Sequence, residues 1–250
     1  MPSITKREGG RSSAWWRRWG PAIAALVMSI VTIAVGLHLG GRSYYLVSVL
    51  LVMYAMIPFF AAFEFRRPQA REVVVLAVMC ALAVASRVAF IWVPHFKPMA
   101  AVVMLAGIAF GARSGFLVGA VSALASGLVF GLGPWTPWQM LAFGAGGGLM
   151  GLLADVGVVP RAKLSPRALV AVSAGGFLLV VLLVGPILDT CTLFTMMGAV
   201  TPAAAVAVYM AGLPVNLIHG TATLATFLLV GNPLLGKLAR VQVKYGLLQP

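Results

Sequence analysis

Acidic residues are scarce in this chain: Asp and Glu together number five among 250 residues, and charged residues of both signs make up only 9%. A water-soluble domain carries roughly 25% charged residues. That shortage, with 61% hydrophobic residues and a mean hydropathy of +1.02, excludes an ordinary soluble fold. Cysteine is nearly missing as well. Cys80 lies inside an apolar run and Cys191 beside an expected outer loop, so neither a disulfide framework nor a cysteine metal site is readable. The chain has no HExxH motif and no paired catalytic carboxylates. It also lacks the alternating pattern of outer-membrane barrel strands.

What the chain does contain is apolar runs of roughly 17 to 25 residues, the length at which a helix rising 1.5 Å per residue crosses a ~30 Å hydrocarbon core. Spans are expected at about 21–40, 44–63, 70–93, 99–112, 115–131, 138–157, 167–188 and 203–231. This predicts an all-α membrane protein of eight spans with both termini cytoplasmic. The net charge of +13 supports that orientation. Fifteen basic residues fall in the segments assigned to the cytoplasm, while only Arg42 and Lys97 fall outside and Arg87 lies within a span. Short basic clusters between apolar runs point to membrane orientation, and no nucleic-acid partner is expected. The run after Pro21 is too long for a signal segment, so it is read as a helix of the mature protein.

Pro68, within the basic stretch EFRRPQAR, divides the chain. Residues 1–67 form a basic N-terminus and a two-helix transmembrane hairpin. Residues 68–250 form a six-helix unit with a short basic tail, and nearly all intramembrane polarity lies there.

Ala77, Ala81, Ala85 and Ala89 recur every four residues on one face of the third span, where small side chains admit a close helix neighbour. The neighbour is either a partner or another helix of the same bundle. A second small-residue ridge runs through Gly111, Gly115, Gly119, Ala123, Gly127 and Gly131. Arg87 lies about 200° around the helix from Ala85 and Ala89 and is expected to face the bundle interior. In GLGPWTPWQM, Pro134 and Pro137 predict a stiff, non-helical outer segment from which Trp135 and Trp138 project, beside Thr136 and Gln139. The tryptophans suit either a ligand-capping loop or an interfacial aromatic belt. In GLPVNLIHG, Pro214 breaks or kinks the last span, and Asn216 and His219 share one face that either lines a cavity or bonds to another helix. Asp189 is expected at the outer end of the seventh span, where it neutralises Arg87 or Lys97 or touches ligand.

Two short motifs fail on inspection. GNPLLGKL has Leu238 where a P-loop needs Ser or Thr, and it follows a membrane helix where a P-loop follows a strand. Ser114 lies near the inner surface and His219 deeper or further out, so they do not form a catalytic pair.

The alanine ridge with Arg87, the block HFKPMAAVVMLAGIAFGARSGFLVGAVSALASGLVFGLGPWTPWQM, and GLPVNLIHG followed by VGNPLLGKLARV together resemble the S component of energy-coupling factor (ECF) vitamin transporters. The resemblance covers about residues 68–245. It implies a six-helix capture subunit in a bacterial cytoplasmic membrane, with no catalytic cofactor of its own. Ala77, Ala81, Ala85 and Ala89 would dock on a transmembrane T component served by two ATPases, which alone use ATP. The resemblance also implies a small vitamin or precursor as ligand. Arg87, Trp135, Thr136, Trp138, Gln139, Asn216 and His219 would contact it, and a corrinoid such as cobalamin is the first choice. The competing readings are a membrane-embedded enzyme using Ser114 or His219, and a scaffold that transports nothing.

Overall fold

The computed structural model describes residues 20–21, 23–32, 34–35, 44–64, 69–161, 163–197 and 200–246. The basic residues expected at 6–18, Arg42, Arg66, Arg67 and the Pro68 boundary lie outside them. The described residues are helical with no strand. Chain contacts group them into two compact units, residues 1–67 and 68–250. The helices Ala70–Ala89, Ala112–Phe130, Pro166–Met196 and Pro202–Lys244 are long and apolar enough to cross a membrane.

The first unit contains α1 (Ile23–Thr32) and α2 (Tyr44–Glu64). Ala25, Val52 and Met56 are buried, and Thr32 Oγ1 donates to the Tyr54 hydroxyl at 3.4 Å, joining the two helices.

The second unit contains α3 (Ala70–Ala89), α4 (Met99–Phe110), α5 (Ala112–Phe130), α6 (Thr136–Asp155), α7 (Pro166–Leu179), α8 (Gly185–Met196) and α9 (Pro202–Tyr245). Every residue of α4 is buried. The sequence MAAVVMLAGIAF is apolar on all sides, and such a helix belongs at the centre of a bundle. Gly111 alone separates α4 from α5 and adopts φ +85°, a conformation open to glycine and strained for other residues.

Gly115 and Gly119, in the middle of the small-residue ridge, form an internal seam. A Cβ on Gly115 would sit 2.4 Å from the Gly147 carbonyl oxygen, and one on Gly119 would sit 2.3 Å from that of Phe143. A Cβ on Gly107 of α4 would meet the same Gly147 oxygen at 2.1 Å. Three backbones therefore approach to distances that no side chain permits. The alanine ridge differs. Ala77, Ala81, Ala85 and Ala89 are exposed, while Leu76, Met79, Cys80 and Ala83 of the same helix are buried.

Helix starts follow local chemistry. Ser165 and Thr201 each precede proline, and their hydroxyls accept hydrogen bonds from the amides of Ala168 and Ala204. Proline in the first turn loses nothing, because the amide it lacks has no helical partner there.

Several expected boundaries move. The third span ends at Ala89, and residues 90–98 form turns. The seventh continues beyond 188 through a π-helical turn, Val180–Val184, into α8. Asp189 is therefore inside a helix, about two turns before its end. Pro214 does not break the last span: α9 is helical through both Pro214 and Pro233 to Tyr245, well past the expected end at 231. A proline removes one backbone bond and strains the preceding turn, which packing over so long a helix offsets.

Candidate ligand site

After the π-helical turn α8 packs alongside α9, and the two helices line an open cavity of about 530 Å³. Leu188, Met197, Val208 and Val215 supply apolar walls. Asp189, Thr192, Asn216 and His219 supply its polar groups. Asn216 Nδ2 donates to Asp189 Oδ2 at 2.8 Å, and Asn216 is only 7% exposed. On the neighbouring turn, the Thr190 and Tyr209 hydroxyls lie 2.7 Å apart and join α8 to α9 again.

Two glycines make the Asp189–Asn216 pair possible. A Cβ on Gly212 would lie 2.2 Å from Asp189 Oδ1, and one on Gly185 would lie 2.3 Å from Asn216 Cγ. Nothing in the sequence taken alone singled out these glycines. The i, i+4 spacing of Gly212 and Asn216 puts both on one face of α9, but no sequence signal marks Asp189 as the partner of that face.

Arg87 points into the second unit, as the helical angles predict. Its Nη1 donates to Ser126 Oγ at 2.6 Å, and its guanidinium carbon lies 4.3 Å from the centre of the Phe130 ring. Among the described residues no carboxylate pairs with it, so of the alternatives left open for Asp189 the neutralisation of Arg87 is the one not seen there; Asp189 is instead bonded by Asn216. Lys97 Nζ donates to the carbonyls of Phe90, Ile91 and Val93, at 2.9 Å for the last, and so closes the end of α3. Burial of the Lys97 ammonium holds it below the usual lysine value, and repulsion from Arg87 adds to the shift. His219 is within electrostatic reach of His95, Arg87 and Lys97. The 90–98 turn and the end of α3 thus present positive charge to the same stretch of α9 that lines the cavity.

The aromatic stretch departs from expectation. Only residues 131–135 are non-helical; Thr136, Trp138 and Gln139 lie on the first turn of α6, with Pro137 at a position where a helix accepts proline. Thr136 Oγ1 accepts from the Gly133 amide at 3.0 Å, and the Trp135 ring packs over Gly133. Trp138 is 8% exposed and stacks on Phe194, with centroids 6.2 Å apart. Phe194 is two residues beyond Thr192 and so roughly 200° around α8 from it. None of Trp135, Thr136, Trp138 and Gln139 lines the α8–α9 cavity. The structure gathers Asn216, His219 and Asp189 there, with Arg87 nearby, and places the aromatic stretch against another side of α8. Ser114, at the α4–α5 junction, is at the far end of α4 from the 90–98 turn that neighbours His219.

No group of three or more His, Cys, Asp or Glu side chains among the described residues is placed to hold a metal ion. In comparisons with known proteins, no curated protein and no solved structure matches the chain. A protein-family model described as the ECF-type riboflavin transporter, S component, matches residues 68–240, which is most of the chain and nearly all of the second unit. The chain therefore belongs to the S-component family of ECF-type transporters.

Proposed function

We propose that this membrane protein captures riboflavin, or a closely similar flavin precursor, from outside a bacterial cytoplasmic membrane. In this reading it passes the ligand inward with a T component and two ATPase subunits, and ATP is used by those ATPases alone. The carrying observation is the α8–α9 cavity, walled by aliphatic side chains and fitted with Asp189, Asn216 and His219. Its volume of about 530 Å³ lies within the ~300–1,000 Å³ of small-molecule sites. A planar flavin ring suits the aliphatic walls. The imide and hydroxyl groups of riboflavin suit the carboxylate, amide and imidazole. A corrinoid is several times heavier than riboflavin, and the cavity favours the smaller molecule. The name of the matched family points the same way.

The remaining assignments follow from this reading and from the distribution of charge. Eight spans with both termini cytoplasmic put the 90–98 turn and the α8–α9 cavity at the outer side. Residues 1–67 form an added two-helix hairpin. Ala77, Ala81, Ala85 and Ala89, exposed on α3, form the docking face for the T component.

The test is a titration of riboflavin fluorescence with the purified full-length chain in detergent. Saturable quenching with a Kd of about 1 μM or tighter is expected, together with loss of that quenching in Asn216→Leu. A chain that binds cobalamin and leaves riboflavin unquenched would replace the flavin assignment with the corrinoid one.

A further inference from the structure

α9 is far longer than a membrane crossing needs. Its 44 residues rise about 66 Å against a hydrocarbon core of about 30 Å. The surplus at its C-terminal end is two-faced. Leu235 and Leu238 are buried, and Gln242 on the same side donates from Nε2 to the Ala109 carbonyl at 2.6 Å. Lys237, Arg240 and Lys244 cluster on a face roughly 160° away, and all three are exposed.

Polar latches draw other basic segments to this end. Asn232 accepts from the Leu164 amide at 2.7 Å and donates to the Leu164 carbonyl at 2.9 Å, holding the α6–α7 connection against α9. That connection carries exposed Lys163, and exposed Arg167 follows in the first turn of α7. The Gln242 latch reaches the last turn of α4, close to exposed Arg113. Across residues 109–113, 155–167 and 232–246 the sole acid is Asp155. It is already engaged by Arg161 and by the Ala112 amide, the latter at 3.0 Å. These contacts gather the basic segments at one end of the second unit, to which they contribute Asp155 as their one acid.

We propose that the face of α9 carrying Lys237 and Arg240, with Lys163 and Arg167 beside it, binds the phosphate headgroups of anionic phospholipids in the inner leaflet. The inference rests on the cytoplasmic placement of this end proposed above. Long basic side chains at the end of a span reach headgroups without moving the helix. Exposed Val170, one turn deeper into α7 than Arg167, suits the boundary between headgroups and acyl chains. A purely aqueous acidic partner would not call for that valine.

The experiment is native mass spectrometry of the full-length chain after exchange into an equimolar mixture of phosphatidylglycerol and phosphatidylcholine. Phosphatidylglycerol is expected to be retained preferentially, and Lys237→Gln/Arg240→Gln to reduce that preference roughly tenfold, with elution and melting temperature unchanged. Equal retention of both lipids by the wild type, or an unchanged preference in the variant, overturns the proposal. An acidic polypeptide as the true partner would give the first of these results. Lys237→Cys, probed with a membrane-impermeant maleimide on intact cells, separates the two layers of inference. Labelling from outside overturns the topology, whereas protection in intact cells combined with no lipid preference overturns the lipid surface alone.

Discussion

Gly185 and Gly212 hold the Asp189–Asn216 pair in place by having no side chains. Gly212→Ala forces a methyl to within 2.2 Å of Asp189 Oδ1, so the carboxylate must swing away from Asn216. The expected result is at least about a tenfold loss of flavin affinity, or ~1.4 kcal/mol, in a variant that still elutes as a single species. Unchanged affinity would mean that the pair does not face the ligand. Arg87 has a different role. Its bond to buried Ser126 and its position over Phe130 make it a tie between α3 and α5. Hydrogen bonds to charged groups contribute about 1.5–3 kcal/mol, so Arg87→Met should lower the melting temperature in detergent by several degrees. A variant as stable as the wild type would contradict that role. The inward direction of Arg87 was readable from helical angles, because a charge in a membrane helix avoids lipid. The Asp189–Asn216 pairing was not readable, because it depends on a π-helical turn that advances the register of α8 in a run of valines and leucines with no distinguishing signal.

Among the helices, the two small-residue ridges show where sequence periodicity stops being informative. Both repeat every four residues, and both admit a close neighbour. Only the structure separates them: α5 spends Gly115 and Gly119 on the backbones of α4 and α6, while α3 leaves its alanines exposed. Replacing Gly147 with Val would put side-chain carbons against the Gly115 carbonyl and Val103. Overpacking of this kind costs about 1–3 kcal/mol or more, and the variant should be recovered poorly and melt early. Ala81→Trp/Ala85→Trp should instead melt normally and bind flavin normally, yet fail to copurify with the T component and fail to support uptake. Intact complex formation by that variant would remove the docking assignment. The aromatic stretch was misjudged from sequence because proline is ambiguous: it stiffens a loop and also opens a helix. The Gly133–Thr136 hydrogen bond and the burial of Trp138 place it in the second setting.

For the whole molecule, composition alone was enough to read a helical membrane protein, since so few charges cannot coat a soluble surface. The long block from His95 to Met140 carried the family likeness, and the family match over residues 68–240 agrees with it. Ligand identity was beyond the sequence, because polar residues from separate spans acquire meaning only when the helices converge. Here α8 and α9 bring Asp189, Asn216 and His219 around one cavity. The most direct test is native mass spectrometry of the full-length protein, purified gently from the membranes of its own host. A single retained mass equal to that of riboflavin or a close flavin relative is the predicted result. A retained corrinoid, or an empty protein that also fails to take up added riboflavin, would contradict the account.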